Sequence, residues 1–132
     1  MSQVSTFVMF QGAAQQAIAL YSELFERFRV TQLQHYDETP DGKRLIKHAT
    51  IDFDRQNLVF IDSPISHDFS FTPAVSLFVN LASEAELERV FARLAEEGKV
   101  LMPPDDYGFS ARFGWLNDRF GLSWQLNVPA AG

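Results

Sequence analysis

The sequence predicts an α+β fold made of two βαβββ modules, with the helices outside a mixed sheet. Three observations carry this. The chain twice runs through the same order of hydrophobic periods: a short β-rich run, an amphipathic helix, then extended runs. A shift of 70 positions lays Phe7 on Leu77, Met9 on Val79, Leu20 on Val90, Tyr21 on Phe91 and Leu24 on Leu94, apolar on apolar, as an internal duplication would. Finally, Asn117-Asp118-Arg119-Phe120-Gly121 sets residues tolerant of left-handed geometry between two aromatic-rich runs, the punctuation expected between antiparallel strands.

In chain order, Val4–Phe10 reads as a strand ending at Gln11-Gly12. Ala13–Phe25 then takes helical spacing, with Ala17, Ile18, Tyr21, Leu24 and Phe25 on one stripe. Arg29–Tyr36 is extended, and residues 37–42, with a Pro and a Gly, form a polar loop. Lys47–Asp54 and Gln56–Asp62 read as a hairpin, because His48, Thr50 and Asp52 alternate with Ala49, Ile51 and Phe53 before a turn at Asp54–Asn57. The second module repeats the order. Ala74–Leu81 is a strand, Ser83 and Glu86 match a capping box, and Leu87, Val90, Phe91 and Leu94 form a buried stripe that Gly98 ends. Lys99–Met102, Ala111–Asn117 and Leu122–Val128 supply three further strands. The expected organisation is one domain over residues 1–132, with modules at about 3–62 and 74–129 joined by a linker at 63–73.

Composition narrows the function classes. A chain of 132 residues that is 46% hydrophobic can bury a core without staples. It has no cysteine, which excludes disulfides, thiol nucleophiles and cysteine-ligated metals. A net charge of −6 without a basic cluster disfavours nucleic acid and anionic membranes as partners. No stretch approaches the roughly 20 apolar residues that span a bilayer, and the start lacks a basic region followed by an apolar run, so the expected location is cytoplasmic. The 13 phenylalanines read as sheet core.

The last strand is the most informative about a site. Ser123, Gln125 and Asn127 alternate with Trp124, Leu126 and Val128, so one face is apolar and the other offers hydrogen-bonding groups. Gln125 reads either as a ligand-orienting amide or as a polar residue on a wet face. His48 is a candidate general base, or a hairpin histidine with no such role. Asp62 is a candidate catalytic base, or a carboxylate capping the Asp-Ser-Pro turn. Tyr107, on a loop entered through Pro103-Pro104, is a candidate lid, and Trp115 could face either side.

Taken in order, Met9-Phe10-Gln11-Gly12-Ala13-Ala14, Ala17 through Tyr21, His48-Ala49-Thr50, Phe71 through Phe78, Gly98 through Pro103, Asp106-Tyr107-Gly108, Phe113-Gly114-Trp115 and Asp118-Arg119-Phe120-Gly121 resemble the PhnB-like group of the vicinal oxygen chelate (VOC) superfamily. That superfamily includes glyoxalase I, extradiol dioxygenases and bleomycin- and fosfomycin-resistance proteins. The group is often labelled with the 3-demethylubiquinone-9 3-methyltransferase domain name. The resemblance covers nearly the whole chain and implies a concave pocket surrounded by strands, and usually a homodimer.

It also implies four metal-ligand positions. Counting from matched residues, these fall at Thr6, Phe60, Ala74 (or Ser76 by the internal shift) and Gln125, none of them a histidine or carboxylate, so the usual divalent metal is not expected. A slip of two residues would bring Asp62 to the second position. The expected pocket is lined by Thr6, His48, Thr50, Phe60, Ser76, Tyr107, Trp115 and Gln125. No cofactor is assigned: no glycine-rich strand–loop–helix unit stands ready for S-adenosylmethionine, so methyl transfer is not expected either. The leading reading is a metal-free small-molecule-binding protein. The alternatives are a metal-dependent lyase, isomerase or dioxygenase using Asp62, His48 and Gln125, and non-catalytic sequestration of a toxic compound.

Overall fold

The computed structural model describes residues 2–37 and 42–131, so residues 38–41 of the expected polar loop lie outside the described residues. The chain divides into two compact units, Met1–His67 and Asp68–Gly132. Among the described residues no helix is long and apolar enough to cross a membrane.

The first unit runs β1 (Thr6–Phe10), α1 (Ala14–Leu24), β2 (Phe28–His35), β3 (Ile46–Phe53) and β4 (Gln56–Asp62), in sheet order β1-β4-β3-β2. β1 lies parallel to β4, and the other pairs are antiparallel. α1 buries Ala14, Ala17, Ile18, Leu20, Tyr21 and Leu24. Its tyrosine meets Phe60 edge-on at 6.1 Å, and Phe60 also packs on Phe10 at 5.1 Å. Burying a side chain of this size contributes about 2–3 kcal/mol, so this aromatic layer fixes which sheet face meets the helix. The β3–β4 turn is made without glycine, by Asp54 and Arg55 at φ +49° and +74°.

α1 begins without a cap of its own. Its N-cap is Ala13, which makes no side-chain hydrogen bond, and its first turn holds no acidic residue. Asp62, at the end of β4, supplies what the local sequence lacks. One carboxylate oxygen accepts from the N–H groups of Gly12 (2.8 Å) and Ala14 (3.0 Å), and the other from Ile46 N–H at 2.9 Å. The residue is completely buried. A buried carboxylate is tolerated when its lone pairs are met and a helix N-terminus faces it, and both conditions hold here.

The second unit runs β5 (Ser76–Asn80), α2 (Glu84–Ala95), β6 (Lys99–Asp105), β7 (Arg112–Asn117) and β8 (Ser123–Val128), in order β5-β8-β7-β6. α2 is capped from within: Ser83 accepts from Glu86 N–H at 3.1 Å, with Glu84 and Glu86 in the first turn. Leu87, Val90, Phe91 and Leu94 are its buried stripe. In the β7–β8 turn Asp118 accepts from Phe120 N–H (2.9 Å), Leu122 N–H (3.0 Å) and the Trp124 indole (2.9 Å), while Gly121 adopts φ +88°. β6 extends through Pro103 and Pro104 to Asp105, beyond the expected Met102, with irregular pairing to β7 that tolerates the missing proline donors.

The 70-residue shift holds for the helices but not for the strands. Leu20, Tyr21 and Leu24 match Val90, Phe91 and Leu94, all buried. In β1, however, Val8 and Phe10 are the buried residues and Phe7 is 61% exposed, whereas in β5 Leu77 and Val79 share their face with the buried Trp124 and Leu126. Pairing Phe7 with Leu77 therefore joins opposite faces. Matching Phe10 to Leu81 restores the faces and leaves three residues before α1 but two before α2.

Two expected outcomes follow. Asp62→Ala strands three buried N–H groups and should lower unfolding free energy by about 3–5 kcal/mol in a urea melt, since each lost acceptor costs about 1–3 kcal/mol. A loss below about 1 kcal/mol would show that water replaces the carboxylate. A Cβ at Gly114 would stand 2.6 Å from Cε2 of Phe91. Gly114→Ala should therefore cost about 1–3 kcal/mol by forcing α2 off the sheet, and Phe91→Leu in the same chain should recover part of it.

Candidate functional site

Strand register decides which predicted residues share a face. In the second unit the residues facing away from α2 are Ser76, Phe78 and Asn80 on β5, Ser123, Gln125 and Asn127 on β8, and Phe113, Trp115 and Asn117 on β7. Ser76 pairs with Ser123 across the parallel ladder, and Gln125 pairs with Trp115 across the antiparallel one. Neighbouring side chains on one face lie about 5 Å apart, within hydrogen-bonding reach of one another.

They form a continuous run. The Trp115 indole donates to Ser123 Oγ at 2.9 Å, Ser123 Oγ lies 2.6 Å from Ser76 Oγ, and Gln125 Nε2 donates to Ser76 Oγ at 3.4 Å. Ser123 is completely buried, while Ser76, Trp115 and Gln125 are half-buried. Alongside runs an aromatic cluster. Phe113 packs on Phe109 at 5.0 Å, on Tyr107 at 6.2 Å and on Phe78 at 6.5 Å. Phe78 and Phe109 are 55% and 61% exposed, an unusual setting for phenylalanine. The Tyr107 hydroxyl donates to the Pro103 carbonyl at 2.5 Å, which ties this residue to its own loop.

The structure thus brings together Ser76, Trp115 and Gln125, with Tyr107 in the adjoining cluster. Ser123, Phe78, Phe109 and Phe113 join them, though the sequence did not single these out for the site. The signal for Ser123 was its alternation with Gln125 and Asn127; its partner Ser76 lies 47 positions away and depends on a parallel register the sequence does not state.

In the first unit His48 and Thr50 share the face away from α1 with Gln32, Gln34 and Val59. Two expected pocket residues fall on the other side. Thr6 pairs with Leu58 and shares the helix-facing side with Val8 and Phe10, because the extra residue before α1 throws the count by one. Phe60 is completely buried among Phe10, Tyr21 and Phe28, since it stands opposite Ala49 on that same side. Asp62 is spent on three backbone N–H groups. Asp52, beside Thr50 on β3, is held by Arg29 at 3.1 Å and Arg55 N–H at 2.7 Å. Ala74 precedes β5 and is exposed.

These donors do not fit a divalent cation. Facing away from the helices, the parallel pair β1 and β4 carries Phe7, Met9, Val59 and Ile61 and the parallel pair β5 and β8 carries Ser76, Phe78, Ser123 and Gln125. Among the described residues no three His, Asp or Glu side chains gather closely enough to hold a metal. A separate cleft of about 600 Å³ on the first unit is lined by Gln15, Gln16, His35, Lys43 and Arg44 among others, and its histidine is bonded to Gln15 Oε1 at 3.2 Å.

Comparison with known proteins agrees with this architecture. A PhnB protein from Bacillus cereus, described as a putative 3-demethylubiquinone-9 3-methyltransferase, is 42% identical, with 96% of this chain and 99% of that chain covered at a TM-score of 0.88. Protein PA1353 from Pseudomonas aeruginosa is 28% identical over 99% of this chain and 100% of that chain, with a TM-score of 0.84. Protein YjdN of Escherichia coli is 24% identical over 95% of this chain and 94% of its own length. The fosfomycin resistance protein FosX from Listeria monocytogenes, in complex with Mn(II) and 1S,2S-dihydroxypropylphosphonic acid, shares the fold at a TM-score of 0.64 and 8% identity, covering 98% and 94% of the two chains. Residues 2–127 match the 3-demethylubiquinone-9 3-methyltransferase family, and the chain belongs to it, as a PhnB-like member with the glyoxalase/VOC fold.

Proposed function

We propose that the chain binds a small organic molecule on the face of its second unit that is turned away from α2, and does so without the divalent metal of the wider superfamily. The observation that carries this is the hydrogen-bonded run Trp115–Ser123–Ser76–Gln125 beside exposed aromatic rings. A few convergent polar groups within an apolar surround are the usual make-up of small-molecule sites. His48 and Thr50 are the matching candidates on the first unit.

The same residues favour holding a ligand over proton transfer. None of the four side chains in the run changes charge near neutral pH, so the run can orient a ligand but supplies neither a general acid nor a base. This supports the sequestration reading ahead of catalysis. Methyl transfer finds no support in the strand–helix turns either. The β1–α1 turn has one glycine, Gly12, and its N–H groups at Gly12 and Ala14 already bind Asp62; the β5–α2 turn, Leu81-Ala82-Ser83, has none.

Two measurements test the proposal. After incubation with excess Mn, Zn, Ni or Fe and removal of unbound ions, elemental analysis should find well under one equivalent of metal per chain. Retention of about one equivalent, lost in Gln125→Ala, would overturn the metal-free reading. A fragment screen read by ¹⁵N-correlation spectra should give hits that move the Trp115 indole and Gln125 side-chain signals, with affinities weakened about three- to tenfold in Ser123→Ala. Hits confined to other surfaces would displace the site.

A further inference from the structure

The hydrogen-bond inventory of the run specifies what the ligand must carry, an inference that rests on the small-molecule reading above. Trp115 Nε1 can only donate, and so can the amide nitrogen of Gln125. Between them stand two hydroxyls with two protons, and the Ser76–Ser123 bond uses one. One proton is left over. If it belonged to Ser123 it would be a donor without solvent access and without an acceptor, a costly arrangement. With the Gln125 amide nitrogen turned toward Ser76, this sets the polarity: Trp115 donates to Ser123, Ser123 donates to Ser76, and Ser76 keeps a proton to offer on the half-buried face. Donation along such a chain polarises each successive hydroxyl, so the terminal O–H of Ser76 is a stronger donor than an isolated serine.

We infer that Ser76 is a specificity-determining donor for a carbonyl-type oxygen on a flat, largely apolar, neutral ligand. Flatness follows from the neighbours. Phe78 lies two residues along β5 on the same face, and Phe113 and Trp115 stand on β7, across β8, with Phe113 reaching Phe78 at 6.5 Å, so the space beside the hydroxyl is bounded by rings. Neutrality follows from the absence of any cationic side chain in the run and from the chain's net charge of −6, which disfavours anions at long range. The amide oxygen of Gln125 remains an acceptor, able to take a donor on the ligand edge next to the carbonyl.

Matched probes separate the hydroxyl from the rings: 2-acetylnaphthalene carries a carbonyl, and 2-isopropenylnaphthalene replaces that oxygen with a methylene of the same shape. Dissociation constants come from shifts of the Trp115 indole and Gln125 amide signals in the full chain. The ketone should bind about fivefold more tightly than the hydrocarbon, the effect of one added hydrogen bond. Ser76→Val should bring that ratio to about one while changing hydrocarbon affinity by less than about twofold, and Ser76→Thr, which keeps the hydroxyl, should preserve the ratio. Ser76→Ala provides the same comparison should valine disturb folding, as checked by thermal melting. Equal binding of the two probes to the wild type, or a ratio that survives in Ser76→Val and Ser76→Ala, overturns the inference and leaves the small-molecule reading standing. If neither probe moves those signals at about 1 mM, a level that detects weak complexes, both fall together.

Discussion

A carboxylate with no solvent contact holds the first unit in register. Asp62 ends β4, yet its acceptors go to the turn before α1 and to the first residue of β3, so one side chain joins a helix start and two strands. The local sequence at Gln11-Gly12-Ala13 cannot cap α1, and the cap comes from 48 positions further on. Because β1 runs parallel to β4, fixing the end of β4 against the helix also fixes which residues of β1 face the core. The second unit solves the same problem locally: Ser83 caps α2, and its buried carboxylate, Asp118, is spent on the β7–β8 turn and the Trp124 indole.

What could be read in the sequence was whatever depends on near neighbours. β4 was legible to the residue and the other elements to within a few, because period and turn chemistry are local signals. The buried side of α1 and α2 was equally plain. Faces of β1 were not: helical repeats tolerate a one-residue change in the preceding turn, whereas a strand inverts, and that is why Thr6 fell on the wrong side. Phe60 failed for the same reason of parity, and a phenylalanine gives no chemical hint of which face it takes. Asp62 reads in the sequence as a turn cap or a catalytic base; its carboxylate caps a helix that begins 48 positions before it.

The site shows a similar division. Gln125 was legible as a candidate because β8 alternates so regularly, whereas the face taken by Trp115 on β7 was open in the sequence. The bond between Ser76 and Ser123 was not, since it depends on a ladder between segments 47 positions apart. A sheet face that carries hydroxyls and an amide offers a few directional bonds, so for a ligand of the kind proposed, shape and the placement of single atoms would carry the selectivity.

The chain's two tryptophans occupy contrasting settings. Trp124 is fully buried with its indole bonded to Asp118, whereas Trp115 is half-buried on the face turned away from α2 with its indole bonded to Ser123. Their fluorescence is accordingly separable by chemistry: Trp124 emission follows the integrity of the fold, and Trp115 emission follows what lies against the sheet. Replacing Trp115 with phenylalanine leaves Trp124 to report unfolding, and replacing Trp124 leaves Trp115 to report on its own face of the sheet, each as a single-site optical signal without an attached dye.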